Sequence, residues 1–292
     1  MNTKKPSLWQ RILEDFGWTR SSTFLLSLFF VTVLLIVVVW WPLAVDAFST
    51  YNPNYPWWMQ TDWLLIGNFL VMTILIVAGA DLKTDALLLF VGLAGGLVIE
   101  GWGTQTELWI YYTLERPPLW IIPAWPIAFL SINRIVRLLD LLLESLPDIV
   151  FRVLYWIIFP IFTVLMLRFV WPTIDQSLTL MALLLCSLLI VTPTDHRLAV
   201  LTFIAGAGLG YFLERWGTTR RCWTYYTLER PPFFAVLAHG MAAVACWRSA
   251  VLLRKWHQYV PEWLRNKEIA PWMKDPILST GVTDQKEKDE DL

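Results

Sequence analysis

One nineteen-residue segment occurs twice in this chain. Residues 100–118 read EGWGTQTELWIYYTLERPP and residues 214–232 read ERWGTTRRCWTYYTLERPP, identical at thirteen positions and at a constant offset of 114. Apolar helices resemble one another through shared Leu and Val. This segment is polar and aromatic, so chance is a poor explanation. A repeat of this kind sets the architecture before any single motif does: two copies of one unit each bring the same segment to the same relative place.

The setting of the repeat is apolar. The chain is 57% hydrophobic and 16% charged, against about 25% charged in an average soluble domain. Several apolar runs approach the roughly 20 residues that span a hydrocarbon core. The expected class is therefore all-α, a polytopic membrane protein of about eight transmembrane helices in two parallel four-helix repeats. A net charge of −1 gives no basis for nucleic-acid binding. Three cysteines without Cys-x-x-Cys spacing indicate neither a disulfide framework nor a zinc site. The first apolar run, Thr23 to Trp41, ends in Trp-Trp-Pro with no small-residue cleavage pattern, so it reads as a retained helix.

Eight spans are expected near 22–41, 62–80, 84–100, 119–138, 150–170, 178–192, 197–214 and 232–252. Lys4, Lys5, Arg11, Arg20, Lys83, Arg134, Arg137, Arg152, Arg197, Arg248, Arg254 and Lys255 then fall on one side, which the bias of Lys and Arg marks as cytoplasmic. The loop at 42–61 has no Lys or Arg but carries Tyr51, Tyr55, Trp57 and Trp58, as an outer aromatic belt would. Residues 215–231 break the rule with Arg215, Arg220, Arg221 and Arg230. Pairing between the copies, with Glu107, Glu115 and Glu229 as acceptors, would neutralise that excess. The organisation expected is a cytoplasmic arm at 1–21, repeats at 22–140 and 148–255, and a cytoplasmic interfacial segment with a disordered acidic tail at 256–292. Both termini are cytoplasmic in this scheme, with a bacterial inner membrane assumed. Four spans separate equivalent points, and four is even, so both repeated loops face the same compartment.

Within each unit Gly92, Gly96 and Glu100 align with Gly206, Gly210 and Glu214. Positions i, i+4 and i+8 share a helix face. The glycines admit a close neighbour, as in Gly-x-x-x-Gly packing, and the glutamate points into that seam. An ionisable group at such depth is a candidate functional residue. The alternative is a boundary glutamate accepting hydrogen bonds from Thr104, Trp109 or an arginine. Gly103 and Gly217 read as left-handed helix caps. Trp102, Trp109, Tyr111 and Tyr112, with Trp216, Trp223, Tyr225 and Tyr226, fit either an aromatic girdle or, because their spacing repeats, a shaped pocket or fixed contact. Glu115, Arg116, Glu229 and Arg230 offer an ion pair across the two copies or a ligand contact, and the Pro-Pro pairs begin the fourth span of each half. Asp81 and Asp195 stand about 28 Å before the glutamates along a helix and read as N-caps. The halves differ where Trp125 aligns with His239.

His196, His239 and His257 are dispersed, and no nucleophile elbow, phosphate loop or dinucleotide motif is present; no metal or cofactor is expected. The order Glu100, Gly103, Thr106, Tyr111, Tyr112 and Pro118, followed by an aromatic-rich helix, resembles the membrane carotenoid hydratase family and its lycopene-cyclase-like relatives. The family's Phe-Gly element between the Thr and the Tyr pair is absent. The resemblance implies a multi-helix protein with acids near the membrane boundary.

The reading that needs no chemistry is a scaffold or subunit, or a lipid- or pigment-binding protein, acting through a duplicated Trp/Tyr-rich surface. The alternative is an enzyme modifying an isoprenoid of carotenoid type. Glu100 and Glu214 would then be its catalytic acids, and the aromatic faces would stabilise a carbocation. A transporter is a further alternative. The partners expected are membrane lipid, a polyene or isoprenoid, and other membrane subunits.

Overall fold

A computed structural model describes residues 7–191 and 195–258. Helix α1 (Leu8–Asp15) opens the chain, within the arm expected at 1–21. It is followed by α2 (Arg20–Val39), α3 (Trp41–Ser49), α4 (Trp57–Gln60), α5 (Trp63–Val77) and α6 (Leu82–Gln105). Strand β1 (Trp109–Tyr111) then leads to α7 (Ala124–Leu142), α8 (Asp148–Val170) and, after a single 3-10 turn, α9 (Ser177–Ile190). Helix α10 (His196–Thr219), strand β2 (Trp223–Tyr225) and α11 (Phe233–Gln258) complete the described chain. The segment expected at 42–61 as a loop is partly helical, through α3 and α4. The acidic tail expected within 256–292 lies, from residue 259 onward, outside the described residues.

Local chemistry explains the helix starts. Ser7 and Thr19 form capping boxes with Gln10 and Ser22, each satisfying two otherwise orphan groups of the first turn. Asp62 caps α5, accepting from the Leu65 amide. Asp81 and Asp195 cap α6 and α10, accepting from the Lys83 and Leu198 amides, as their spacing indicates.

Each of the eight expected spans contains a helix. Among the described residues five stretches are long and apolar enough to cross a membrane: Arg20–Val39, Leu82–Gln105, Asp148–Thr173, His196–Thr219 and Phe233–Trp256. A helix of 24 residues such as α6 reaches about 36 Å, against roughly 30 Å of hydrocarbon. Helices α5 and α9 are shorter, with 15 and 14 residues. Helix α7 carries Arg134, Arg137 and Asp140.

Glycine sets the closest contacts. A Cβ added to Gly92 would lie 2.8 Å from the Pro126 Cα, and one at Gly96 would lie 2.4 Å from the Trp125 indole, both on α7. Gly206 meets the His239 carbonyl at 2.9 Å and Gly210 the His239 Cβ at 2.4 Å, both on α11. The repeated glycines therefore seat α7 on α6 and α11 on α10, closer than any larger residue would allow.

Gly103 and Gly217 are not the caps expected of them. Both lie inside their helices, and a Cβ there would sit 1.8 Å from the Trp109 Cη2 and 2.0 Å from the Trp223 Cη2. They are notches for the repeated tryptophans. The left-handed positions come later and are not glycine: Glu107 and Arg221 have φ of 61° and 58°, Leu114 and Leu228 of 63° and 61°. Both Arg-Pro bonds of the repeat, Arg116–Pro117 and Arg230–Pro231, are cis.

The two ends of the bundle differ. At one end Arg11 pairs with Glu144 at 2.7 Å and Arg197 with Asp140 at 2.6 Å. Arg137 donates to the Asp15 carbonyl at 3.0 Å. Close by in the chain, Arg134 and Asp85 form a fully buried pair, with Nη1 also donating to the Asn133 side chain. At the other end β1 and β2 pair antiparallel, Trp109 opposite Tyr225 and Tyr111 opposite Trp223.

Three of the arginines expected to pair between copies, Arg116, Arg215 and Arg220, find other partners. Arg220 binds Asp62 of the α5 cap at 2.8 Å. Arg116 binds Glu107 of its own copy at 2.6 Å. Arg215 donates to the Arg230 carbonyl at 3.0 Å. The repeat gives no sign of Asp62 as a partner, because that residue lies far from it in the sequence. The Pro-Pro pair leads directly into α11, but α7 starts only at Ala124, after turns over 119–123.

Candidate functional site

The repeated glutamates sit in the last two turns of α6 and α10, each 3% exposed. Burying a carboxylate demands compensating donors, and each has three partners. Glu100 Oε2 accepts from Trp109 Nε1 at 3.0 Å, and its Oε1 accepts from the Tyr111 hydroxyl at 2.9 Å and Trp125 Nε1 at 3.2 Å. Glu214 Oε2 accepts from Trp223 Nε1 at 3.0 Å, and its Oε1 from the Tyr225 hydroxyl at 2.8 Å. The third partner of Glu214 is His239 Nε2, at 2.9 Å from Oε1.

The Trp-x-Tyr-Tyr spacing explains how a short strand achieves this. Residues i and i+2 of a strand share a face, and i+3 points away. Trp109 and Tyr111 therefore turn together toward Glu100, and Trp223 and Tyr225 toward Glu214. The second tyrosine of each pair bonds elsewhere: Tyr112 donates to the Val39 carbonyl and Tyr226 to that of Phe169 at 2.8 Å. Burial, with the adjacent carboxylate second, pushes the hydroxyls of Tyr111 and Tyr225 well above the ordinary tyrosine range, so both remain protonated donors at any physiological pH.

Strand pairing joins the two carboxylate clusters. The Trp109 ring lies 5.9 Å from that of Tyr225, and Tyr111 lies 5.8 Å from Trp223. Trp125 and His239 stack on each other at 5.9 Å and 17°. Trp102 of the first copy donates to Thr179 of α9 at 3.2 Å, and Trp216 of the second donates to Asp62 at 2.9 Å. Each copy thus grips an element of the other half, and the site is one composite structure.

Both clusters border a cavity of about 490 Å3. Glu100, Glu214, Trp102, Trp109, Tyr111, Trp125, Trp216, Trp223, Tyr225 and His239 line it, and most of the remaining wall is aliphatic or phenyl. Phe90 and Val98, which also line it, are 62% and 52% exposed, so the cavity reaches the apolar outer surface of the bundle. Glu115, Arg116, Glu229 and Arg230 lie exposed on the loops, away from the cavity lining. Tyr112 and Tyr226 also stand outside that lining. Among the described residues no group of three His, Cys, Asp or Glu side chains could hold a metal ion. Trp125 and His239 complete the carboxylate clusters. Their alignment marks a difference between the copies, but their role depends on the seating of α7 and α11.

Compared with known proteins, the chain matches no family model, no curated protein and no solved structure.

Proposed function

We propose that this chain is an integral membrane protein of eight spans, arranged as two parallel four-helix halves, that holds an apolar lipid of isoprenoid or polyene type between them. The observation that carries this reading is the cavity itself, apolar along most of its wall and open toward lipid-facing residues, with the duplicated motif on its rim. An apolar site with few placed polar groups is the usual form of a small-molecule site. Four aromatic residues of the motif, Trp109, Tyr111, Trp216 and Tyr225, turn inward and are buried, which favours a ligand over a partner protein at this surface. Arg11, Arg20, Lys83, Arg137, Arg152, Arg197 and Lys255 gather at the end opposite the strands and would lie in the cytoplasm.

A second reading, an enzyme acting on such a lipid, draws support from the two carboxylates that line the cavity beside ring faces. Mass spectrometry of organic extracts from protein purified in nanodiscs tests the first reading. About one apolar lipid per chain, absent from empty nanodiscs, is expected. An extract identical to that of empty nanodiscs overturns it. If the double substitution Glu100→Gln and Glu214→Gln leaves the occupant chemically unchanged, the enzymatic reading goes.

A further inference from the structure

The two carboxylate clusters are alike except for one donor. In the first half, Trp125 has a single N–H, and it is committed to Glu100. In the second half, His239 meets Glu214 through Nε2 and retains a second nitrogen, Nδ1. The surroundings of the imidazole leave one edge open. Its face stacks on Trp125. Its Cδ2 lies 3.0 Å from where a Gly210 Cβ would stand. Nε2 is held by the carboxylate. The side chain is still 24% exposed and lines the cavity, and Nδ1 and Cε1 form the edge that none of these contacts covers.

The donors that reach the two carboxylates, from Trp109, Tyr111, Trp125, Trp223 and Tyr225, are each directed at a glutamate oxygen. A carboxylate only accepts hydrogen bonds, so in the neutral imidazole tautomer that fits it the proton sits on Nε2 and Nδ1 carries the lone pair. A hydrocarbon offers nothing to that lone pair. An O–H would satisfy it.

We propose that His239 Nδ1 anchors the hydroxyl group of the bound lipid. The cavity would then select an isoprenoid-type alcohol over the matching hydrocarbon or ether and seat it in one direction, hydroxyl toward the second half. This rests on the lipid-binding reading and adds the polar group and orientation of the ligand.

Fluorescence titration of the full chain in nanodiscs with retinol and with retinyl methyl ether tests it. The two probes share a polyene, and only retinol has an O–H to donate. Retinol is expected to bind about five- to tenfold more tightly, the worth of one net hydrogen bond. His239→Trp keeps an N–H for Glu214, as Trp125 does for Glu100, but has no ring acceptor. It should remove the preference, so that the two probes bind with equal affinity. If His239→Trp does not fold, Trp125→His in the otherwise native chain supplies a second acceptor and should raise the preference further. Equal binding of the two probes by the native protein, or a preference that survives His239→Trp, overturns the anchor alone. Failure of both probes to bind overturns the lipid-binding reading and the anchor with it.

Discussion

The two halves are near copies at their glutamates and differ at the third donor. The Trp125 indole can only donate, so Glu100 is held in a fixed role as acceptor. The His239 imidazole carries one nitrogen more than the bond to Glu214 uses. Duplication kept the frame: helix caps, glycine notches, strand register and left-handed turns recur at the same offset. The two clusters share their geometry and differ where Trp125 aligns with His239.

A second difference between the halves lies at the other end of the bundle. Asp85 neutralises the buried Arg134, whereas Ala199 occupies the position aligned with Asp85. Asp85→Ala should destabilise the protein by about 3–5 kcal/mol, because it leaves a buried guanidinium without its counter-charge. Thermal unfolding in detergent measures this. A loss below about 1 kcal/mol would mean that water or another group already compensates Arg134.

Gly103→Ala and Gly217→Ala probe what the halves share. Each places a Cβ at 2.0 Å or less from a tryptophan ring, and each should cost about 3 kcal/mol, the upper range for overpacking. Gly208, with nothing within 4 Å, is the control: its alanine variant should gain stability, by up to about 1 kcal/mol. A neutral Gly103→Ala would show that the notch is not required.

Replacing each glutamate by glutamine breaks the comparison most cleanly. In Glu100→Gln the new amide must direct its NH2 at an indole N–H, whichever way it is turned, so the substitution should cost about 2 kcal/mol. In the second half the amide can face Tyr225 and His239, both able to accept, while its carbonyl receives Trp223. Glu214→Gln should then cost about 0.5 kcal/mol or less. Equal losses in paired thermal melts would mean that the Trp125/His239 difference has no energetic consequence. A small effect of opposite sign is expected at Arg221, exposed and left-handed. Arg221→Gly should stabilise by roughly 0.5 kcal/mol in the same melts, since glycine adopts that conformation without a Cβ penalty.

Much of the frame was legible in the sequence because it rests on short-range chemistry. Apolar runs placed eight helices, and Asp81 and Asp195 announced two of their starts. The Gly-Gly-Glu line identified the faces that α7 and α11 cover. The meaning of Gly103 was not legible, since a glycine near a helix end signals a cap as readily as a notch; only the indole of Trp109 beside it decides. The Trp-x-Tyr pattern concealed a strand because three residues are too few for an alternating signal, and the pairing partner lies 114 residues away.

By itself, then, the sequence determined that one segment occurs twice, where the helices run, and that a glutamate and its aromatic neighbours recur in each copy of that segment. The tertiary structure decided that the two motifs zip together as β1 and β2, that Asp62 receives Arg220 in place of a repeat glutamate, and that Trp125 and His239 meet. Helix position follows from hydrophobicity and caps within a few residues. Which donors reach a buried carboxylate depends on how closely separate helices and strands approach, and that closeness is a property of the packed molecule.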